Sequence, residues 1–381
     1  MIDAGTPLRR LAFVTLLALA TMLVPGCTNR GGPASPETST ASDTPTPPVP
    51  GAAGAAGAVV LDEDESARQV FPADNWWNLD ISAAPVDAAS SAYIAWISGR
   101  TGTDTTAVRH LHPDFGPAPY GIPYIGVAGD QPLLPIHFSP YGSQSDSGAP
   151  GRPAGYPVPD AARTTPGYIE GGVAGGGASG DRHMLIIDRD HWLLFETWAT
   201  HWNATLSRWD AGSGATWDLS MNGRRPDGWT SADAAGLAIF PGLVRYDEVY
   251  GATPAIRHAF RFTTRATNGH VWPASHDAGS TAGAPPMGTR LRLKSAVDIS
   301  RFPAPMQRIF QAMKTYGLIL ADNGTDMYIT GTMDARWDND VLNPAFGALS
   351  ADDFEVIQLG WNPTATGVAG IHAAGRSTPR L

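Results

Sequence analysis

The segment 180–198 reads Gly-Asp-Arg-His-Met-Leu-Ile-Ile-Asp-Arg-Asp-His-Trp-Leu-Leu-Phe-Glu-Thr-Trp, with two aliphatic and aromatic runs on either side of a polar turn. Such residues favour β-strands, and the polar residues between them are typical of a hairpin. Apolar side chains fall on both faces of this hairpin, so it should lie centrally in a sheet that is covered on both sides. The sequence therefore predicts a mostly β fold, a sandwich, jelly roll or barrel.

The register of the hairpin decides which polar side chains meet at its open end. Pairing of Ile187 with Trp192 would place His183 opposite Glu196, and a turn one residue shorter would place Arg182 there instead. A carboxyl on an apolar inner face is expected to have a raised pKa, which suits a general acid near neutral pH. The alternative is that Glu196 and His183 form a structural pair.

The rest of the globular region also favours short strands over long helices. The whole chain has 43 glycines and 33 prolines, and those in the globular region are dispersed along it, which indicates many turns. A single large domain with two or three short helices is expected, two of them at 90–98 and 304–316, where apolar residues recur at helical spacing. Further strands are predicted at 133–138, 259–264, 290–294, 318–321, 327–329 and 355–359.

The N-terminal sequence resembles an export signal with a lipid attachment site. Residues 1–26 contain Arg9-Arg10 and then an apolar run of about 14 residues, shorter than the roughly 20 that span a bilayer. Val24-Pro25-Gly26-Cys27 resembles the bacterial lipobox, from which Pro25 departs, and Cys27 is the only cysteine. We expect a signal peptide at 1–26 and a lipidated Cys27 at the cell membrane or outer membrane, outside the cytoplasm; the alternative is an incidental cysteine in a discarded leader.

Composition divides the remaining chain into a tether, a globular region and a tail. Pro, Ser, Thr, Ala and Gly dominate after Cys27, and such a stretch buries too little apolar surface to fold. We therefore expect a disordered tether over 27–68, a globular β-rich domain over 69–361 and a flexible tail over 362–381.

Charge and motifs exclude several function classes. The net charge is −10 and no basic stripe is present, so nucleic acid is not an expected partner. Serine-hydrolase, zinc-protease and Walker motifs are absent, and no cofactor is predicted. His110, His112 and Asp114 have the spacing of metal ligands on a strand, but no further ligands are recognisable, so a turn beside Tyr120 and Tyr124 is preferred and no metal is predicted.

Five blocks carry a resemblance to known sequences: 180–188, 225–236, 241–248, 285–294 and 316–324. Together they resemble an uncharacterised family of secreted, Trp-rich bacterial lipoproteins and exported proteins. The resemblance implies export and no particular activity, so the chemistry must be argued from the residues.

Carboxyl, imidazole and aromatic side chains suggest a carbohydrate as the partner. Glycosidic hydrolysis needs two carboxyl groups, and aromatic rings stack on sugars. The predicted catalytic residues are Glu196, His183, Asp181 and Asp322. The predicted ligand-binding residues are Trp198, Trp229, Trp272, His276, Arg182 and Arg290.

Three functions stay open at this point. The first is a glycoside hydrolase-like surface enzyme, and the second is a non-catalytic carbohydrate-binding or envelope-organising lipoprotein. The third is a polysaccharide lyase using His and Arg. Asp322-Asn323-Gly324 also has a plain alternative as a turn between strands.

Overall fold

The hairpin lies within a five-stranded sheet in the computed structural model, which describes residues 57–148, 150–252 and 254–363. The strands, in order across this first sheet, are β1 (Val60–Leu61), β3 (Tyr124–Val127), β5 (Met184–Asp188), β6 (Leu193–Trp198) and β9 (Ser213–Asp218). β5 and β6 form the hairpin, with β3 on one side and β9 on the other. β3 is parallel to β5, and β6 is antiparallel to both β5 and β9.

The register of the hairpin differs from both expected pairings. Asp188 pairs with Leu193, which places Leu185 opposite Glu196. Asp188 ends β5 because its carboxylate accepts hydrogen bonds from the backbone N–H groups of residues 190 and 191 in the turn. Trp192 has a φ of 56° and belongs to the turn. The shift from the first pairing is two residues, so each side chain keeps its predicted face.

A second sheet has six strands and a third has three. Across the second sheet the strands are β14 (Phe354–Val356), β11 (Arg290–Leu293), β12 (Leu318–Asn323), β10 (Phe260–Thr264), β13 (Tyr328–Met333) and β2 (His112–Gly116). β2 is an edge strand, and this position tolerates Pro113 because the N–H that proline lacks is not needed for pairing. Across the third they are β4 (Ile136–Phe138), β8 (Arg208–Ala211) and β7 (His201–Asn203). Each of the six further predicted strands overlaps one of these.

The helices are short, as expected. The two predicted helices are present, and the longer one buries Met306, Ile309 and Phe310 against the core. No helix in the described part of the chain is long and apolar enough to cross a bilayer. The α-helices are α1 (Ser90–Ile97), α2 (Tyr246–Tyr250), α3 (Ala304–Thr315) and α4 (Asn339–Gly347).

Both faces of the hairpin are buried, which confirms the prediction of a β-rich fold. Leu185 and Ile187 belong to a large core that also contains Phe262 of the second sheet. Ile186 and Phe195, on the opposite face, pack in a separate cluster with side chains from the third sheet. The first sheet is therefore covered on both sides.

The globular fold begins before residue 69, where the composition had placed its boundary. β1 pairs antiparallel with β3, and the acidic residues that follow it turn into the fold. Asp62 and Glu63 are buried, and Glu63 forms a 2.9 Å ion pair with Arg189. Strand pairing and this ion pair attach residues 60–63 to the globular fold, whereas composition alone assigned them to the tether. The expected signal peptide, Cys27 and most of the expected tether and tail lie outside the described residues.

Candidate functional site

A pocket of about 160 Å³ brings together residues from both large sheets. We call it the aspartate pocket, after Asp181, Asp233 and Asp322, which line it together with Trp198 and Tyr141. Trp198 ends β6 in the first sheet, whereas Asp322 lies near the end of β12 in the second. Four of the residues predicted from the sequence line the pocket: Asp181, Asp322, Trp198 and His276.

Asp322 is a partly enclosed carboxyl group in the pocket wall. Its side chain is 25% exposed, and Oδ2 lies 3.7 Å from Nη2 of Arg261. Oδ1 accepts a 2.7 Å hydrogen bond from the backbone N–H of Asn323. Burial, and then the charge of Asp233, raise the pKa of Asp322 to about 7, although Arg261 opposes the rise. The group can therefore release or take up a proton near neutral pH.

An enclosed ion pair forms the inner side of the pocket. Arg261 donates to both carboxylate oxygens of Asp233, at 2.8 and 3.1 Å, and to the hydroxyl of Thr330 at 2.7 Å. Both charged side chains are almost fully buried. Two guanidinium nitrogens of Arg261 donate to Asp233, so the contact of Arg261 with Asp322 is longer, at 3.7 Å.

His276 is held in one tautomer by the backbone. Its Nδ1 lies 2.8 Å from the carbonyl oxygen of Ala234. A carbonyl oxygen can only accept, so Nδ1 carries the proton and Nε2 of the neutral ring is an acceptor. His276 is one of the residues that line the pocket.

The aromatic side of the pocket is formed by Trp198 and Tyr141, whose rings meet edge to face at 6.1 Å. The indole Nε1 of Trp198 donates a 3.3 Å hydrogen bond to Oδ1 of Asp181, which is exposed. Gly212 leaves room for the indole, because a Cβ at that position would lie 2.2 Å from its Cε3. The pocket therefore has an aromatic ring of fixed position beside a carboxylate.

Glu196 is enclosed in the protein and does not line the pocket. Its side chain has no exposed surface, and its oxygens accept from the backbone N–H groups of Ile239 and Phe240 and from the indole of Trp217. Burial raises the pKa of Glu196 to about 7, against the lowering effect of those backbone donors. Its geometry is that of a structural anchor for the segment 237–244.

His183 is also buried, and its partner is not Glu196. Nδ1 lies 2.7 Å from Oε2 of Glu170, and Nε2 lies 3.1 Å from the carbonyl oxygen of Ala232. Both partners accept, so the ring donates from both nitrogens and is an imidazolium. Burial acts against that charge, but Glu170 raises the pKa of His183 to about 9. His183 supports Ala232, which lines the pocket.

Two of the other predicted ligand-binding residues are tryptophans that the structure uses elsewhere. Trp229 faces the guanidinium of Arg225 at 5.4 Å. Trp272 packs edge to face on Trp76 at 6.3 Å. Neither lines the aspartate pocket, although Thr230, beside Trp229, does.

The two predicted arginines also lie away from the pocket lining. Arg182 donates to the carbonyl oxygen of Gly180 at 2.9 Å. Arg290 is buried in the second sheet and donates to the carbonyl oxygen of Tyr316 at 3.1 Å. Among the described residues that line the pocket, none is an arginine or a lysine.

His112 and Asp114 lie on β2, where His112 stacks on the ring of Tyr328 at 4.3 Å. His110 precedes this strand and pairs with Ser350 through a backbone bridge. Across the described ranges, no group of three or more His, Cys, Asp or Glu side chains has a metal-binding arrangement.

Sequence reasoning missed Asp233, Arg261 and Glu170. Asp233 lies in a turn in which the hydroxyl of Ser231 accepts from its backbone N–H. Arg261 interrupts a strand of buried Phe260 and Phe262. The sequence did contain one indication of Asp233. A charged residue within a strand that is covered on both faces, such as Arg261, requires an enclosed partner of opposite charge.

Comparison of the chain with models of protein families, with curated proteins and with solved structures found no match. The function therefore has to be argued from the aspartate pocket.

Proposed function

We propose that this protein is a lipid-anchored cell-surface enzyme that acts on a glycan, with the chemistry of a glycoside hydrolase in the aspartate pocket. One observation carries the proposal: two carboxyl groups, Asp181 and Asp322, line the same pocket as the paired aromatic rings of Trp198 and Tyr141. Hydrolysis of a glycosidic bond uses two such groups, and aromatic rings stack on sugar faces.

Asp322 is the proton donor in this proposal, in the role first expected of Glu196. With a pKa of about 7, a substantial fraction of its carboxyl groups is protonated at neutral pH. The proton passes to the glycosidic oxygen as the bond to the anomeric carbon breaks. Water then adds to the anomeric carbon and gives up a proton to a carboxylate, that of Asp181 or the ionised Asp322.

Asp181 is the second carboxyl group. The Trp198 indole orients it through a single hydrogen bond, and the side chain is otherwise exposed to an incoming ligand. It stabilises the positive charge that develops on the sugar, or directs the water.

The test is a screen of the mature protein against cell-wall and plant polysaccharides, read by the release of reducing ends. We expect Asp322→Asn to lower the rate at least about 100-fold, since general acid catalysis contributes at least that much. Asp218→Asn, at an exposed residue outside the pocket lining, is the matched control and should keep full activity. Full activity in Asp322→Asn would rule out this assignment.

A non-catalytic glycan-binding protein is the second candidate. The enclosure of Glu196 favours it, because the carboxyl group first expected to act as the acid has no access to a ligand. Glycan binding without release of reducing ends would identify this function. A lyase is less well supported, since no arginine among the described lining residues is available to neutralise a uronate; the formation of unsaturated sugars, measured by ultraviolet absorbance, would reveal it.

The membrane location rests on the signal peptide pattern and on Cys27, the only cysteine. Cys27→Ser should abolish labelling of the protein by palmitate and its recovery with membranes. Unchanged labelling in that variant would contradict a lipid anchor at this residue.

A further inference from the structure

The aspartate pocket contains more negative than positive charge. Asp181, Asp233 and Asp322 line it, and Arg261, which pairs with Asp233 and lies 3.7 Å from Asp322, is engaged through two nitrogens by Asp233. Arg182, which follows Asp181, donates to the carbonyl oxygen of Gly180. A third cation, His183, is matched by Glu170 at 2.7 Å.

Two carboxyl groups are thus left without a full counter-charge. Asp322 has only the 3.7 Å contact with the shared Arg261. Asp181 accepts from the Trp198 indole, which is a neutral donor. A ligand that enters between these groups therefore gains most if it carries a positive charge.

Asn323 provides an independent sign that the pocket awaits a hydrogen-bond donor. Its Nδ2 donates to the carbonyl oxygen of Ala278 at 3.0 Å, which fixes the orientation of the amide. Its Oδ1 is buried and has no hydrogen-bond partner among the described residues. Turning the amide over would place two oxygens against each other, so the unpaired acceptor belongs to this site.

The aromatic pair supports the same ligand chemistry. A cation is attracted to the faces of Trp and Tyr rings, and here the indole of Trp198, which meets the Tyr141 ring edge to face, lies beside the carboxylate of Asp181. Carboxylates with an aromatic face are a combination that binds protonated amines.

We propose, on the basis of the proposed function, that the aspartate pocket selects glycans carrying a protonated amine, such as glucosamine units, over neutral and acidic glycans. The amine binds beside Asp181, and it or a neighbouring hydroxyl donates to Oδ1 of Asn323, so that Asp322 keeps the proton it donates to the glycosidic oxygen.

The experiment measures binding to the mature protein by calorimetry, with four oligosaccharides of equal length as probes. These are oligomers of glucosamine, of N-acetylglucosamine, of glucose and of galacturonate. We expect the glucosamine oligomer to bind at least about tenfold more tightly than the N-acetylated one, because acetylation removes the charge. The difference should shrink as salt is raised.

Variants assign the preference to the pocket. Asp181→Asn should reduce the advantage of the glucosamine oligomer, whereas Asp277→Asn, at an exposed residue that pairs with His270, should leave it unchanged. Circular dichroism checks that each variant is folded. The comparison of charged and acetylated ligands needs no variant, so it remains decisive if Asp181→Asn does not fold.

The outcomes separate this inference from the proposed function. Equal affinity for the glucosamine and N-acetylglucosamine oligomers, or preference for a neutral one, overturns the amine inference and leaves glycan recognition standing. Binding of none of the four oligomers, together with no activity in the polysaccharide screen, overturns both.

Discussion

Glu196 and Asp322 are two carboxyl groups with the same raised pKa, about 7, in opposite situations. Glu196 is fully enclosed and accepts from three N–H donors, so its hydrogen-bonding capacity is met inside the protein. Asp322 is 25% exposed, lies beside Asp233 and faces a pocket. A raised pKa therefore indicates burial. Whether the carboxyl group is a structural anchor or a reactive site depends on its hydrogen-bond partners and on its accessibility to a ligand.

The clearest way to break this comparison is to make the same truncation at both carboxyls. Glu196→Ala leaves three buried N–H donors without an acceptor, and we expect it to lower the free energy of unfolding by about 4 kcal/mol. Asp322→Ala removes a group that is partly hydrated and has a neighbouring carboxyl, so it should cost about 1 kcal/mol or less. Denaturant titration of both variants gives the two values.

Similar losses in the two variants would contradict the division into anchor and site. The folded fraction of Glu196→Ala should still bind a glycan with the affinity of the wild type, since Glu196 does not line the pocket. A loss of affinity in that fraction would return Glu196 to the ligand site.

The same contrast shows what could be predicted from the sequence. Alternating apolar residues identified β5 and β6 as buried on both faces, and therefore predicted that Glu196 is enclosed with a raised pKa. Its two backbone donors come from the segment 237–244, about 40 residues along the chain, and no periodicity in the sequence indicates which distant backbone covers a strand. The chemistry of Glu196 was thus predictable from local pattern, whereas its role was not.

Asp322 presents the opposite case. Its own sequence, Asp-Asn-Gly, is equally typical of a plain turn, and its pKa depends on Asp233 and Arg261, which lie far from it in sequence. The predicted register of the hairpin was wrong for a related reason. The side chain of Asp188 accepts hydrogen bonds from the backbone of the turn, and the observed pairing differs from the first expected one by two residues. Contacts of single polar side chains decide such details, and hydrophobic patterning does not report them.

Two tryptophans sharpen the comparison, because each donates its indole N–H to a carboxylate in one of the two regions. Trp198 donates to Asp181 in the pocket, and Trp217 donates to Glu196 in the interior. We expect Trp198→Ala to weaken glycan binding roughly tenfold, about 1.4 kcal/mol, with little change in stability, because the stacking face is lost. Trp217→Phe should lower stability by about 1 kcal/mol and leave binding unchanged. The opposite assignment of the two effects, measured by calorimetry and denaturant titration, would refute the division.

The smallest expected effect is on the pH dependence of stability, and it tests the pKa of Asp322 directly. An aspartate has a pKa of about 3.9 in the unfolded chain, and Asp322 has one of about 7 in the folded protein. Between these values the folded state binds more protons than the unfolded state, so the free energy of unfolding falls as pH rises. One group contributes up to about 1.4 kcal/mol per pH unit, or about 1 after allowance for its partial exposure.

Asp322→Asn should therefore reduce the slope between pH 5 and pH 6.5 by about 1 kcal/mol per pH unit. Glu196 and Glu65 also have pKa values of about 7. Their contributions to the pH dependence of the unfolding free energy have the same sign and remain in the variant. His183, whose pKa is raised to about 9, contributes stability that is lost mainly at higher pH, between its unfolded value and 9, so this window largely excludes it. An unchanged slope would mean that Asp322 is already ionised in the folded protein at pH 5. Asp322 could not then be the proton donor at neutral pH, and it would share burial with Glu196 but not the raised pKa.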